Sequence, residues 1–216
     1  MTEHAAPNFS LQRAWWIRTL LVLQAPSAVF AALRSTDEED LDARTEPLVA
    51  VGMLAGIAAV ISTSVAGRYL DDPGGGLLVV AAWAVFAGAL YGLGALWLGG
   101  LLVHLAARRL RSRGTYRRAR HLVGFALVPV ALTLPLLWPI RLALYGSDVF
   151  RAGGMDAGAE GAHVLDVLYA AAGVWTLVLL LIGIRAVHRW TWVRSFAALA
   201  IAAALPLVIV AWRFWI

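Results

Sequence analysis

Residues 108–121 read RRLRSRGTYRRARH, and they stand between two long apolar runs. Within thirteen residues lie seven arginines: Arg108, Arg109, Arg111, Arg113, Arg117, Arg118 and Arg120. Translocating that much positive charge across a bilayer is unfavourable, so such a loop between membrane spans stays on the cytoplasmic side. Every other span takes its direction from this one loop.

Working outward, the 216 residues are 61% hydrophobic and only 14% charged. Soluble domains average roughly 45–50% and about 25%. A soluble core cannot absorb that excess, but lipid can. The chain has no cysteine, which excludes disulfides and thiolate metal sites. All eighteen basic residues are arginine, and the net charge is +5. Because this charge sits beside the spans, where topology demands it, it reads as topogenic, with no nucleic-acid partner. The opening MTEHAAPNFS lacks a basic region, apolar run and cleavage site, so no cleaved signal peptide is expected.

Residues 1–47 form an expected cytoplasmic or interfacial N-terminal region. Its apolar part is interrupted by Gln12, Arg13, Arg18, Gln24 and Pro26. The seven residues between Arg18 and Pro26 are too few to cross about 30 Å of hydrocarbon. The pattern predicts one or two amphipathic helices in the interface, with Trp15 and Trp16 at headgroup level. Pro26 suits the first turn of the second helix. An acidic linker follows, with carboxylates at all four of residues 37–40.

Residues 48–216 are predicted to form an all-α bundle of five transmembrane helices, at about 48–66, 77–107, 122–140, 164–184 and 196–216. Gly52 and Gly56 in the first span have small-xxx-small spacing, and the second carries Gly88, Gly92, Gly94, Gly99 and Gly100. Such residues let helices approach closely. The second span is longer than a bilayer core and should tilt or project. Pro129, Pro135 and Pro139 should kink or break the third.

With the 108–120 loop inside, the inner segments hold fourteen arginines and the outer segments four, Arg68, Arg141, Arg151 and Arg213. The expected topology is a multi-pass protein of the cell (inner) membrane, N-terminus cytoplasmic and C-terminus outside. Trp190 and Trp192 would mark the inner interface, and Trp138, Trp212 and Trp215 the outer one.

The order of short motifs resembles the Yip family, the Ypt/Rab-interacting five-span membrane proteins, and within it the short bacterial members. The resemblance runs from Ala25 to the C-terminus through APSAVFAALR, then EPL at the first span, then RGTYRRARHLVGFALVP, then GIRAVHRWTWVRSFAAL. Gly124, Phe125 and Pro129 are similar to the family's Gly-Tyr-x-x-x-Pro signature, with Phe for Tyr. Pro47 stands where eukaryotic members carry Asp-Leu-x-Gly-Pro, whose Asp-Leu and Gly are absent here. The resemblance implies a helical bundle without known catalysis; eukaryotic relatives act as membrane adaptors.

The spans hold few groups that could do chemistry. Asp166 is the single carboxylate inside a predicted span, near its outer start, and Arg141 ends the third span at similar depth. They form either a structural ion pair or a polar site, since intramembrane ionisable residues are functional candidates. His163, one turn before Asp166, gives only two ligands, too few for a metal site. His104 and His121 flank the basic loop and read as interfacial; Tyr91, mid-span, should hydrogen-bond to a neighbouring helix. No catalytic motif is found, and neither cofactor nor metal is expected. The seven arginines could hold anionic lipids at about 1 kcal/mol for each one exposed. The expected function is a non-enzymatic adaptor or membrane-organising subunit, with the bilayer and a membrane protein or a second copy as partners. The alternative is a small permease or lipid-handling transporter using Asp166 and the kinked third span.

Overall fold

The computed structural model describes residues 17, 19–36, 41, 45–63, 65–71 and 76–215, except the side chains of 35, 210 and 213–215. The helices are α1 (Pro26–Ser35), α2 (Glu46–Ile61), α3 (Leu77–Arg109), α4 (Tyr116–Ala126), α5 (Val128–Tyr145), α6 (Glu160–His188) and α7 (Trp192–Trp215). Short 3-10 turns occur at Ala66–Arg68 and Gly146–Phe150. Among the described residues, five segments are long and apolar enough to cross a membrane: Glu46–Arg68, Leu77–Arg109, Tyr116–Phe150, Glu160–His188 and Trp192–Ile209. The chain is an all-α, multi-pass membrane protein. Trp15, Trp16, Arg13, Arg18, Arg44 and residues 37–40 lie outside the described residues.

Glycines set the closest crossing, between antiparallel α2 and α3. A Cβ placed on Gly56 would meet the Gly88 carbonyl oxygen, and one on Gly92 would meet the Gly52 carbonyl oxygen. A Cβ on Gly88 would lie 2.8 Å from the Ile57 nitrogen. Gly52 and Gly56 thus oppose Gly92 and Gly88, and the absence of side chains lets the backbones touch.

The third span is interrupted at Pro129, whereas α5 runs on through Pro135 and Pro139. Pro129 cannot donate to Phe125, so α4 stops at Ala126 and α5 starts at Val128. Helical bonding resumes on either side, with Leu127 N–H donating to Val123 at 3.0 Å and Ala131 N–H to Leu127 at 3.0 Å. The interruption is one residue wide.

Pro26 opens α1 as its first-turn residue. This helix packs into the bundle: Phe30 is fully buried, Leu33 and Val29 nearly so. Its Phe30 ring stands edge-on to Phe125 at 6.4 Å and touches the Gly183 surface of α6. An amphipathic helix needs an apolar contact, and here the contact is protein.

Both ends of the Arg-rich turns are closed in the left-handed region. Arg111 (φ 60°) follows α3, with Ser112 N–H donating to Ala107 at 2.9 Å and Arg111 N–H to Arg108 at 2.9 Å. That is the Schellman pattern, with arginine where glycine is usual. Arg189 (φ 52°) also closes α6 in the left-handed region, with Arg189 N–H and Trp190 N–H both donating to the Arg185 carbonyl.

Three sequence expectations fail. Tyr91 is 72% exposed on the outer face of α3 and does not point at a neighbouring helix. His121 is fully buried, its Nδ1 3.0 Å from the Arg117 carbonyl, so it belongs to the core and not to the interface. Trp138 is 7% exposed and stacks on Phe150 at 6.0 Å, which removes it from the membrane surface.

Candidate functional site

The bundle has two chemically different ends. At the Arg-rich end, Thr115 caps α4 by accepting from Arg118 N–H, and the α4 helix then turns two of its arginines inward. Arg118 donates to the Thr36 carbonyl (3.4 Å) and Arg120 to the Thr45 hydroxyl (3.1 Å), tying α4 to the chain around α1 and α2. Arg34 reaches the Ala186 carbonyl at 3.2 Å, and Arg194 donates to the Leu110 carbonyl. Arg108, Arg109, Arg111, Arg113 and Arg117 are exposed. Of the seven arginines, Arg118 and Arg120 are thus half-buried and brace the fold, and the other five are exposed.

The neighbouring turn is also braced. Ser112 Oγ lies 2.9 Å from His188 Nδ1 and accepts from Gly114 N–H at 3.0 Å. The His188 ring stacks on Trp190 at 4.6 Å. Arg194 lies over Trp190 (4.4 Å) and Arg185 over Trp192 (4.5 Å), so both tryptophans carry a cation on one face.

The resemblance-derived signature residues are packing elements. Gly124 gives room to Leu48, whose Cβ would be 3.0 Å from an added methyl, and to Leu96. Phe125 and Pro129 are buried in the main core, and Pro47 is buried in the first turn of α2.

At the opposite end, the loops after α2 and α5 fold together. Leu70 N–H donates to the Phe150 carbonyl at 2.9 Å, and the Asp71 carboxylate accepts from Ala152 N–H at 3.0 Å. Between them and α6 opens a cavity of about 810 Å³. Arg141 lines it. The guanidinium donates to Asp156 Oδ2 at 2.8 Å and to Asp166 Oδ1 at 2.6 Å, and lies 5.7 Å from the Trp138 ring centre. Its Nε is buried without a hydrogen-bond partner. Asp156 is 11% exposed and Asp166 56%, so one carboxylate is enclosed and the other open to the cavity.

Arg141 and Asp166 are thus brought together with Asp156 and Tyr169, which the sequence did not single out, and with Arg151 and Trp138, which it read only as an outer arginine and an interfacial anchor. Asp156 comes from a Gly-containing loop, and no local spacing signals its approach to Arg141. His163 lines the same cavity. Among the described residues no group of three His, Cys, Asp or Glu could hold a metal ion. Pro129 is buried away from the cavity and Pro135 is exposed elsewhere, so the kinked part of the third span does not line it.

No curated protein and no solved structure matches the chain. The family model described as "Yip1 domain" matches residues 20–213, which takes in every helix from α1 to the last turn of α7. The chain belongs to the Yip1 family of membrane proteins.

Proposed function

We propose that the protein is a non-enzymatic membrane-organising subunit of the cell (inner) membrane, an adaptor that works through its Arg-rich end. That end faces the cytoplasm, with the N-terminus on the same side and the C-terminus outside. The observation that carries the reading is the division of the arginine cluster. Two arginines hold α4 in place, and five remain on the surface as a rigidly mounted basic platform. Placing arginine at φ 60° and 52° costs about 1 kcal/mol at each turn relative to glycine. Charge is kept at this end against that cost. The platform suits anionic headgroups or an acidic partner segment.

The test is crosslinking in native membranes, then affinity purification in mild detergent and mass spectrometry. A stoichiometric membrane-protein partner or a second copy is expected. It should be lost when Arg108, Arg109, Arg113 and Arg117 are changed to glutamine. A protein that is strictly monomeric and alone refutes the adaptor reading. The cysteine-free chain allows orientation to be read with single cysteines. Arg113→Cys should be protected from an impermeant thiol reagent in intact cells, and Ser147→Cys labelled. The second reading, a lipid-handling protein, draws on the cavity around Arg141 and Asp166.

A further inference from the structure

The loop-end cavity has both signs of charge above apolar walls. Arg141 is neutralised twice over, by Asp156 and by Asp166. That leaves a negative excess on the open member of the trio, Asp166, whose Oδ1 meets Arg141 while 56% of its side chain stays exposed. The same cavity is lined by Arg151, 54% exposed and only loosely paired with Asp148 at 3.7 Å, and by Arg68. Ile61, Leu137 and Trp138 line its wall.

Depth narrows the occupant. Ile61 is the last residue of α2, Arg141 lies one turn from the end of α5, and Asp166 two turns into α6. The charged groups therefore sit where spans meet headgroups, with the apolar lining residues beside them. Charged groups beside apolar ones at this depth suit an amphiphile. The volume of about 810 Å³ falls in the range of small-ligand sites, about 300–1,000 Å³. It exceeds a headgroup alone and leaves room for the glycerol and upper acyl carbons.

We propose that this cavity binds a phospholipid whose head carries both a phosphate and a primary amine, the phosphate toward Arg151 and the ammonium toward Asp166. A primary ammonium donates hydrogen bonds to a carboxylate, whereas a quaternary one cannot, and a glycerol head has no cation at all. The site thus distinguishes phosphoethanolamine heads from phosphocholine and phosphoglycerol heads. It is independent of the adaptor reading, because it uses the opposite end of the bundle.

The experiment is native mass spectrometry of the full chain released from nanodiscs holding equal parts of the three lipids. Thermal unfolding in detergent with each lipid, with O-phosphoethanolamine or with inorganic phosphate accompanies it. Retention of the phosphoethanolamine lipid over the other two is expected. Asp166→Asn should lower that preference about threefold to tenfold, and Arg151→Gln should weaken retention of all three lipids. Glu160→Gln removes a negative charge at the same end, outside the cavity, and should leave the preference intact. Arg141 is left unaltered, because its loss would strand Asp156 and confuse binding with folding. Equal retention of the three lipids overturns the proposal, as does an unchanged preference in Asp166→Asn. Stabilisation by inorganic phosphate or O-phosphoethanolamine as large as by the lipid assigns the site to a soluble solute and overturns it too.

Discussion

Gly56→Ala adds one carbon at the α2–α3 crossing, and that carbon should be enough to loosen the bundle. It would meet the Gly88 carbonyl oxygen, the Gly92 nitrogen and the Gly92 Cα, all backbone atoms that no rotamer can move. Carbon contacts settle near about 3.5–4.0 Å, so the two helices must part by ~1 Å or more. A gap of that size forfeits about a quarter to a half of the dispersion energy across the crossing. Overpacking generally costs about 1–3 kcal/mol, and the upper end applies where only backbone faces the added atom. Gly52→Ala provides the graded comparison. Its Cβ would lie 3.3 Å from the Gly92 oxygen, a misfit of a few tenths of an ångström, which should cost about 1 kcal/mol. Nothing lies within 4 Å of a Cβ at Gly94, so Gly94→Ala should be neutral or gain up to about 1 kcal/mol from helix propensity. Thermal unfolding in one detergent, read by fluorescence size-exclusion, should rank the variants in that order. Gly56→Ala is expected to fall about 6–12 °C below the parent. A Gly56→Ala protein as stable as Gly94→Ala would refute the glycine crossing.

The other predictions concern different layers of the molecule. Phe30→Ala removes a fully buried ring from the core and should destabilise the bundle by about 3–5 kcal/mol; an unchanged midpoint would mean α1 merely rests on the membrane. Arg141→Met strands the enclosed Asp156 and should cost about 3 kcal/mol, whereas Asp166→Asn, at a half-exposed partner, should cost under about 1 kcal/mol; equal losses would contradict the asymmetry of the trio. Arg111→Gly and Arg189→Gly relieve positive φ and should each raise stability by about 1 kcal/mol in detergent; a loss would show that these side chains have contacts worth more than the strain.

What could be read from the sequence depended on whether a residue's partner was also visible there. The five apolar runs and the interruption at Pro129 are properties of the local chain, and hydropathy and a missing N–H suffice to find them. Gly52 and Gly56 advertised a close crossing, and Gly88 and Gly92 repeat their spacing in the next span. Only the antiparallel register makes them one contact. Phe30 shows the limit of amphipathic patterning: the sequence reveals that α1 has an apolar face but cannot say whether lipid or Phe125 covers it. Tyr91 failed because α3 is apolar on all sides, so its periodicity does not tell the outer face from the inner. Trp138 failed because a tryptophan at a span end is ordinarily an interfacial anchor, and here Phe150 folds back over it. In the cavity, Arg141 and Asp166 share a depth that the span boundaries reveal. Asp156 and Arg151 arrive on a loop, and nothing in their neighbours' spacing predicts where it closes.

The positions of strain at the two ends fit their proposed roles. The chain has twenty glycines, and it uses Gly146 and Gly153 for positive φ in the loop beyond α5. At both turns of the Arg-rich end, the left-handed residue is arginine instead. Glycine would fold these turns more readily, so the charge at 111 and 189 must serve something other than folding. Topology alone is a weak reason, because twelve of the fourteen arginines read as inner would remain after both changes. Contact with an anionic surface is a better one, since Arg111 is among the five exposed side chains and its attraction to headgroups requires that exposure. The double variant Arg111→Gly, Arg189→Gly separates these reasons. If the platform is the purpose, partner or anionic-lipid retention should fall while labelling of Arg113→Cys stays protected. If topology is the purpose, that cysteine should become labelled from outside.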